Sequence, residues 1–123
     1  MLKTFLRSKI HQAVVTSADR DYEGSISIDR ELCRAASLLE YEQVDVYDIT
    51  NGVRFTTYVI YGEPSQVQIN GAAANIVKPG DRVIVAAYVT LDEKEIARHR
   101  TTIVQVDSGN RVTATRVSSI EQP

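Results

Sequence analysis

The sequence contains few of the residues that would point to metal, disulfide or thiol chemistry. Cys33 is the single cysteine among 123 residues, so no disulfide can form within the chain, and a reducing compartment is the simplest interpretation. Cys33 lies among apolar residues, which favours a buried structural thiol over a nucleophile. No Cys/His spacing of the zinc-binding kind is present. We therefore expect no metal centre.

Long apolar runs are also absent. Lysines and arginines interrupt residues 1–15, which argues against a signal peptide. No stretch approaches the roughly 20 apolar residues of a membrane span. We expect a cytoplasmic protein with no membrane partner.

The chain has no excess of positive charge. Its 14 Lys and Arg residues stand against 16 Asp and Glu residues, which gives a net charge of −2. A protein that grips the nucleic-acid backbone usually has a basic face, so we expect no nucleic-acid partner, although a local basic pocket for a small anion remains compatible. The length and the 43% hydrophobic content fit a single globular domain.

What is present is a pattern of β-branched residues in period-2 alternation, which predicts many short strands. Residues 2–17 are predicted to be extended and residues 18–24 to form a loop. The run at 82–89 is apolar enough for a strand buried on both faces. The other predicted strands are 25–28, 44–49, 53–61, 67–69, 102–106 and 111–117.

Helices are predicted to be few and short. Asp29 can cap a helix over 30–39, whose apolar face would contain Leu32, Ala35, Ala36 and Leu39. Asn-Gly at 51–52 predicts a hairpin, "NGAAANI" predicts a turn that opens a short helix, and 91–100 is predicted to be a surface turn or a helical fragment. The pattern predicts a mainly β protein, a small closed β-barrel with short helical inserts, with one domain over 1–117 and a flexible tail over 118–123.

The pair Gly24-Ser25 could undergo self-cleavage of its peptide bond. A serine hydroxyl can attack the carbonyl carbon of the preceding residue, which converts the peptide bond into an ester, and β-elimination then cuts the chain. The new N-terminus becomes dehydroalanine and hydrolyses to a pyruvoyl group, a ketone that accepts electrons much as pyridoxal phosphate does. Glycine before the serine removes the side chain that would hinder the attack and permits strained backbone angles.

Other interpretations of Ser25 stand beside this one. Gly-Ser pairs are common in turns, where nearly all are inert. Ser25 could also be a hydrolase nucleophile with His11 or His99 as its base, but neither histidine lies in a recognisable motif. A third alternative is a non-catalytic barrel that binds a small acid or a partner protein. The residues alone leave these alternatives open.

Four segments in order carry a resemblance to a known family. They read "LRSKIHQAVVT", "DYEGSISID", "ITNGVRFTTYVI" and "INGAAA", and they extend over about residues 1–90. In these segments the sequence resembles the aspartate 1-decarboxylases, the pyruvoyl enzymes that make β-alanine for pantothenate. Residues 91–123 carry no motif that extends the resemblance.

The resemblance implies a double-psi β-barrel that is made as an inactive precursor and assembles as a homotetramer. It implies cleavage between Gly24 and Ser25, which would give a β chain of 1–24 and an α chain of 25–123. The cofactor would be a covalent pyruvoyl group made from Ser25, with no metal and no pyridoxal phosphate. The substrate would be L-aspartate.

Roles for individual residues follow from the same resemblance. Thr57 would assist self-cleavage by stabilising the oxyanion, and Tyr58 would be the proton donor. Lys9 and Arg54 would be the cationic contacts for the two carboxylates of the substrate. In an unrelated protein Thr57 and Tyr58 would be ordinary strand residues and Arg54 a solvated hairpin charge.

The stretch Asn70, Gly71, Ala72 and Ala73 matches the family's substrate-binding segment, where small residues let backbone N–H groups approach an anion. Without the resemblance it would be a turn before a compact helix. His11 stays open between a supporting role in processing and a structural role. The cluster Arg98–Arg100 falls outside the resemblance and is expected to form a solvated surface.

Overall fold

The computed structural model describes residues 1–123, and strands dominate it. All strands join one sheet in the order β2-β6-β3-β5-β4-β7-β1-β8-β9. The predicted mainly β class is confirmed. The strands are β1 (Lys3–Val14), β2 (Ser17–Asp19), β3 (Ser25–Asp29), β4 (Gln43–Asp48), β5 (Arg54–Gly62), β6 (Val67–Asn70), β7 (Arg82–Leu91), β8 (Arg100–Val106) and β9 (Val112–Ser119).

The sheet wraps around a single core, as in a small β-barrel. Nineteen buried apolar residues form one cluster, to which strands β1 and β3 to β8 contribute. In β3 the two apolar residues, Ile26 and Ile28, are fully buried in this cluster. Burying each such side chain contributes roughly 1.5–3 kcal/mol.

Strand pairing brings distant parts of the sequence together beside β3. This strand pairs with β5 in parallel, with Ile26 opposite Val59. On its other edge it pairs with β6 in the antiparallel sense, with Ser25 opposite Asn70. The two pairings place the segments 25–29, 54–62 and 67–70 side by side. The parallel pair can join segments distant in sequence because it needs a long crossover connection.

The predicted helix over 30–39 is shorter than expected. It is α1 (Arg30–Ala35), and Asp29 caps it as predicted by accepting a hydrogen bond from the Glu31 N–H. Ser37 adopts a left-handed φ of 55°, and the Leu38 N–H donates to the Cys33 carbonyl oxygen at 2.8 Å. This 6→1 bond ends the helix in a Schellman-type stop, which needs no glycine.

The early end of α1 changes which residues are buried. Leu38 folds into the core, whereas Leu39, predicted on the apolar face, is 69% exposed. The prediction for Leu39 was wrong because the chain leaves the helical path before that position.

The first predicted extended segment is broken. Its main part is β1, and residues 17–19 form the separate strand β2, which pairs with β6. The predicted loop over 18–24 was therefore wrong at its start. In β7 the expected burial on both faces holds for Val85, Ala86 and Ala87, whereas Tyr88 is 44% exposed.

The predicted turns and inserts are present. Gly52 has φ +81° in the β4–β5 hairpin. A 3-10 helix occupies Gly71–Asn75, and α2 (Glu93–Ile96) is the helical fragment, with a capping box from Asp92. Strands β8 and β9 form the last hairpin, and the domain boundary at 117 stays a prediction. None of the helices is long and apolar enough to cross a membrane.

Candidate active site

Ser25 begins β3 and is buried, with 2% of its surface exposed. Its hydroxyl donates to the Glu23 carbonyl oxygen at 3.0 Å. Ser25 Oγ itself accepts a hydrogen bond from Asn70 Nδ2 at 3.0 Å. The two hydrogen bonds tie the hydroxyl to the Glu23 backbone on one side and to the Asn70 amide on the other.

The backbone of Gly24 lies against Gly71. A Cβ built on Gly71 would lie 2.6 Å from the Gly24 Cα, so only glycine fits at position 71. Gly71 also has φ +76°, which disfavours any other residue. Gly24 itself does not have a positive φ.

Thr57 and Tyr58 lie on β5, next to β3, and are half-buried. The β3–β5 pairing begins at Ile26 opposite Val59. Continuing that parallel register would place Ser25 beside Tyr58 and Gly24 beside Thr57. Neither side chain forms a hydrogen bond with Ser25, so only the strand register relates them to the serine.

Arg54 and Lys9 share a face of the sheet with Tyr58 but lie farther from Ser25. Arg54 is four residues before Tyr58 on β5, about 13 Å along the strand. Its guanidinium lies over the Tyr47 ring, 4.3 Å from the centroid. Lys9 is on β1, and strands β7 and β4 lie between β1 and β5 in the sheet. Lys9 forms no ion pair. A single chain therefore does not bring both cations to Ser25.

His11 is half-buried on β1, away from β3. Its Nε2 lies 3.2 Å from Gln12 Nε2, and its Nδ1 is buried without a hydrogen-bond partner. Burial, followed by the nearby Lys9 and Arg82 charges, lowers the pKa of His11 below its usual value. A neutral imidazole is thus favoured, and its possible role in processing stays a prediction.

The cluster Arg98–Arg100 is not uniformly solvated as predicted. Arg98 and Arg100 are exposed, but His99 is half-buried. His99 Nε2 lies 3.2 Å from the Leu6 carbonyl oxygen and 3.2 Å from Thr101 Oγ1. The prediction for His99 was wrong because the turn after α2 folds its ring back against β1.

The expected structural role of Cys33 agrees with its surroundings. The thiol is 1% exposed in the core, and burial raises its pKa to about 12. A thiol of this kind stays protonated and is a poor nucleophile.

A cavity of about 550 Å³ lies beside α1, lined in part by Arg30, Arg34 and Tyr61.

A row of side-chain amides reaches Ser25 from β6, and sequence reasoning missed it. Gln68 Nε2 donates to Asn70 Oδ1 at 2.7 Å, and Gln66 Nε2 donates to Gln68 Oε1 at 3.2 Å. Asn70 Nδ2 also donates to Ser27 Oγ at 3.0 Å. The spacing 66, 68, 70 was a usable signal, because alternate residues of a strand share a face.

A buried carboxyl group, that of Asp48, with the half-buried Asp81 as its neighbour, was also missed. Asp48 is 2% exposed, and its Oδ1 accepts hydrogen bonds from the Thr50 and Asn51 N–H groups at 2.8 and 3.2 Å. Burial, and then the neighbouring Asp81 carboxyl group, raises the pKa of Asp48 to about 6. The Asp48 carboxyl group in turn lowers the pKa of Asp81. Asp48 therefore keeps its proton to a higher pH than an ordinary aspartate does.

Comparison with known proteins gives a consistent result. The family model described as aspartate decarboxylase matches residues 1–113. The chain is 47% identical to the aspartate 1-decarboxylase of Myxococcus xanthus over 100% of its own length and 96% of the relative's. It is 50% identical to that of Legionella pneumophila, covering 96% and 90%, and 51% identical to that of Corynebacterium efficiens, covering 93% and 85%.

Proposed function

The chain belongs to the aspartate decarboxylase family, and from this premise we propose that it converts L-aspartate to β-alanine and CO2 with a pyruvoyl group made from its own Ser25. The β-alanine would serve pantothenate biosynthesis. The cytoplasmic location expected from the sequence is part of the same proposal.

Formation of the group would begin with Ser25 Oγ. A bond forms between Oγ and the Gly24 carbonyl carbon, the Gly24–Ser25 C–N bond breaks, and the hydroxyl proton passes to the freed amine. Loss of the Ser25 Cα proton then breaks the Cβ–Oγ bond, and Gly24 leaves as a carboxylate. Addition of water to the resulting dehydroalanine releases ammonia and leaves the ketone.

The surroundings of Ser25 fit this origin of the group. Ser25 is buried, and its hydroxyl donates to the Glu23 carbonyl oxygen and accepts from the Asn70 amide. Gly71 packs against Gly24 and limits the movement of the scissile segment. When formed, the pyruvoyl ketone supplies a sink for the electron pair that remains when CO2 departs.

Two residues of β5 would act on the reacting atoms. The Thr57 hydroxyl would stabilise the negative charge that develops on the Gly24 carbonyl oxygen during cleavage. The Tyr58 phenol would donate the proton that replaces the lost carboxylate on the substrate carbon. The parallel register of β3 and β5 supports both roles, because it runs toward the pairs Gly24–Thr57 and Ser25–Tyr58.

Substrate selection would depend on charge and on the segment after β6. Lys9 and Arg54 would each neutralise a carboxylate of L-aspartate, and the bidentate guanidinium of Arg54 gives directional recognition. Asn70 and the backbone of Gly71, Ala72 and Ala73 would line the site. A substrate with a neutral side chain would leave one cation unpaired, which costs of order a few kcal/mol in a dry site.

A homotetramer is part of the proposal. Within one chain Arg54 and Lys9 lie on the same face as Ser25, but both are distant from it. Arg54 is several residues away along β5, and Lys9 is several strands away across the sheet. A site completed by a neighbouring subunit would bring such cations to the serine.

The observation that carries the proposal is the membership in the family combined with the buried, backbone-held hydroxyl of Ser25. The test is an intact mass spectrum of freshly purified and of incubated protein, followed by an assay for β-alanine from L-aspartate. We expect fragments 1–24 and 25–123, and we expect a carbonyl reagent to label the larger one.

Ser25→Ala is the matched control. It should remain one chain, take up no carbonyl reagent and make no β-alanine. If purified Ser25→Ala protein made β-alanine, or if active wild-type protein stayed uncut and unlabelled, the proposed function would be refuted.

A further inference from the structure

The amide row Gln66, Gln68 and Asn70 has a fixed direction. A side-chain amide has an oxygen end that accepts and a nitrogen end that donates, so each amide constrains the next. Gln66 donates to Gln68, Gln68 donates to Asn70, and Asn70 donates to Ser25 Oγ. If one amide turned over, the next would have to turn as well to keep its hydrogen bond.

A backbone group at the far end sets this direction. The Glu63 N–H donates to Gln66 Oε1 at 2.8 Å, and a backbone N–H can only donate. The oxygen of Gln66 must therefore face Glu63, which turns its nitrogen toward Gln68. Ser17 Oγ donates to the same oxygen of Gln68 at 2.7 Å and reinforces the order. At the other end of the row, Asn70 therefore directs its N–H group, and not its carbonyl oxygen, toward Ser25.

The direction affects the chemistry of Ser25 Oγ. This oxygen gains negative charge twice, when it gives up its proton to attack Gly24 and when it leaves Cβ as part of the Gly24 carboxylate. An N–H donor aimed at an oxygen that gains charge lowers the barrier, whereas a carbonyl oxygen in the same place would raise it. With the amide donating to it, the hydroxyl is also left to donate to Glu23.

We propose that Gln68 is a positioning residue for self-cleavage, which it controls by holding the Asn70 amide with its nitrogen toward Ser25. Gln68 does not touch the scissile bond and acts only through Asn70. This inference rests on the proposed function, since it assumes that the Gly24–Ser25 bond is cut.

The test is Gln68→Glu, measured as the rate of conversion of the purified precursor into two fragments by intact mass. The ionised carboxylate that this change introduces can only accept, so Asn70 Nδ2 turns toward it and Oδ1 faces Ser25. We expect cleavage at about pH 7.5 to slow by at least about tenfold. At about pH 4 the introduced carboxyl group begins to carry a proton, donates again, and should restore much of the rate relative to wild type at the same pH.

Gln68→Met is the control of matched length. The methionine side chain neither donates nor accepts a strong hydrogen bond. Asn70 therefore loses the hydrogen bond that orients its amide, but nothing favours the reversed orientation. We expect a smaller slowing whose ratio to wild type does not change between the two pH values. The thermal unfolding midpoint of both variants identifies any loss of folding, and acid rescue of Gln68→Glu alone cannot come from a general loss of structure.

The possible results separate this inference from the proposed function. A wild-type precursor that never cleaves would refute the proposed function. Cleavage of wild type together with a Gln68→Glu rate within about threefold of it at both pH values, or with a slowing that acid does not relieve, would overturn the role of Gln68 alone.

Discussion

The molecule buries polar groups at two places, and they are built on different chemistry. Beside Ser25 the buried partners are neutral amides, which donate at one end and accept at the other. At the β4–β5 hairpin the buried group is the Asp48 carboxyl, next to Asp81 from the turn before β7, and burial raises the pKa of Asp48 to about 6. The first cluster has a direction and no charge, and the second has a charge that depends on pH.

The contrast shows what each kind of cluster can do. Amides keep the same donor and acceptor ends at any ordinary pH, so they can present one defined group to a reacting oxygen. A buried carboxyl group beside a second carboxylate favours its protonated form, since two ionised carboxylates repel. We therefore expect exchange of an amide for a carboxylate, or the reverse, to transfer the property of one cluster to the other.

The largest effect is expected where a carboxylate replaces the amide nearest the serine. Asn70→Asp would place an anionic oxygen against Ser25 Oγ, where charge develops during cleavage. We expect self-cleavage at neutral pH to slow by about a hundredfold or more. The measurement is the fraction of uncut precursor against time by intact mass.

Ser27→Ala is the matched control for this change. Ser27 accepts the other hydrogen bond of the Asn70 amide, and its loss leaves the bond to Ser25 in place. It should cleave within about threefold of wild type. If Asn70→Asp cleaved as fast as Ser27→Ala, the amide would have no part in the reaction.

A smaller effect, on stability, is expected from the reverse exchange. The folded protein holds a proton on Asp48 up to about pH 6, whereas an ordinary aspartate loses it near 3.8. This contribution to stability is therefore present at low pH and is lost as the pH rises through that window. Asp48→Asn keeps a donor at every pH, and we expect it to raise the free energy of unfolding by about 1 kcal/mol at neutral pH and very little near pH 4.

The comparison is best made by urea unfolding in the Ser25→Ala background, so that every protein is one uncut chain. Glu121→Gln, in the exposed C-terminal segment, controls for removal of one negative charge. A gain for Asp48→Asn that is equal at both pH values, or matched by Glu121→Gln, would show that the pKa of Asp48 is not raised in the folded state.

Much of the fold was predictable because its signals are local. Period-2 alternation identified the strands, Asn51-Gly52 identified the hairpin, and Asp29 identified the start of α1. The end of α1 was not predictable in this way, because Ser37 takes the left-handed conformation without being a glycine, asparagine or aspartate.

The site was predictable only in part. The resemblance drew attention to Gly24, Ser25 and Asn70, and these residues do lie together. The alternate spacing of Gln68 and Asn70 indicated a shared strand face. It did not indicate hydrogen bonds between the two side chains, because a polar residue in a strand normally faces water. The Asp48–Asp81 contact was equally hidden, since it joins two turns that are distant in sequence and meet only in the folded chain.

The smallest effect is expected at the far end of the amide row. A Cβ built on Gly62 would lie 2.5 Å from Gln66 Oε1, so Gly62→Ala forces that side chain to move. The hydrogen bond from Glu63 that fixes the direction of the row would weaken, whereas Ser17 would still orient Gln68. We expect self-cleavage to slow by only about two- to threefold, measured as before by intact mass. Gly62→Ala combined with Ser17→Ala weakens the first of these hydrogen bonds and removes the second, and the two changes together should slow cleavage by more than the product of their separate effects. Strictly multiplicative effects would mean that the two donors act independently, and that no directed row connects them to Ser25.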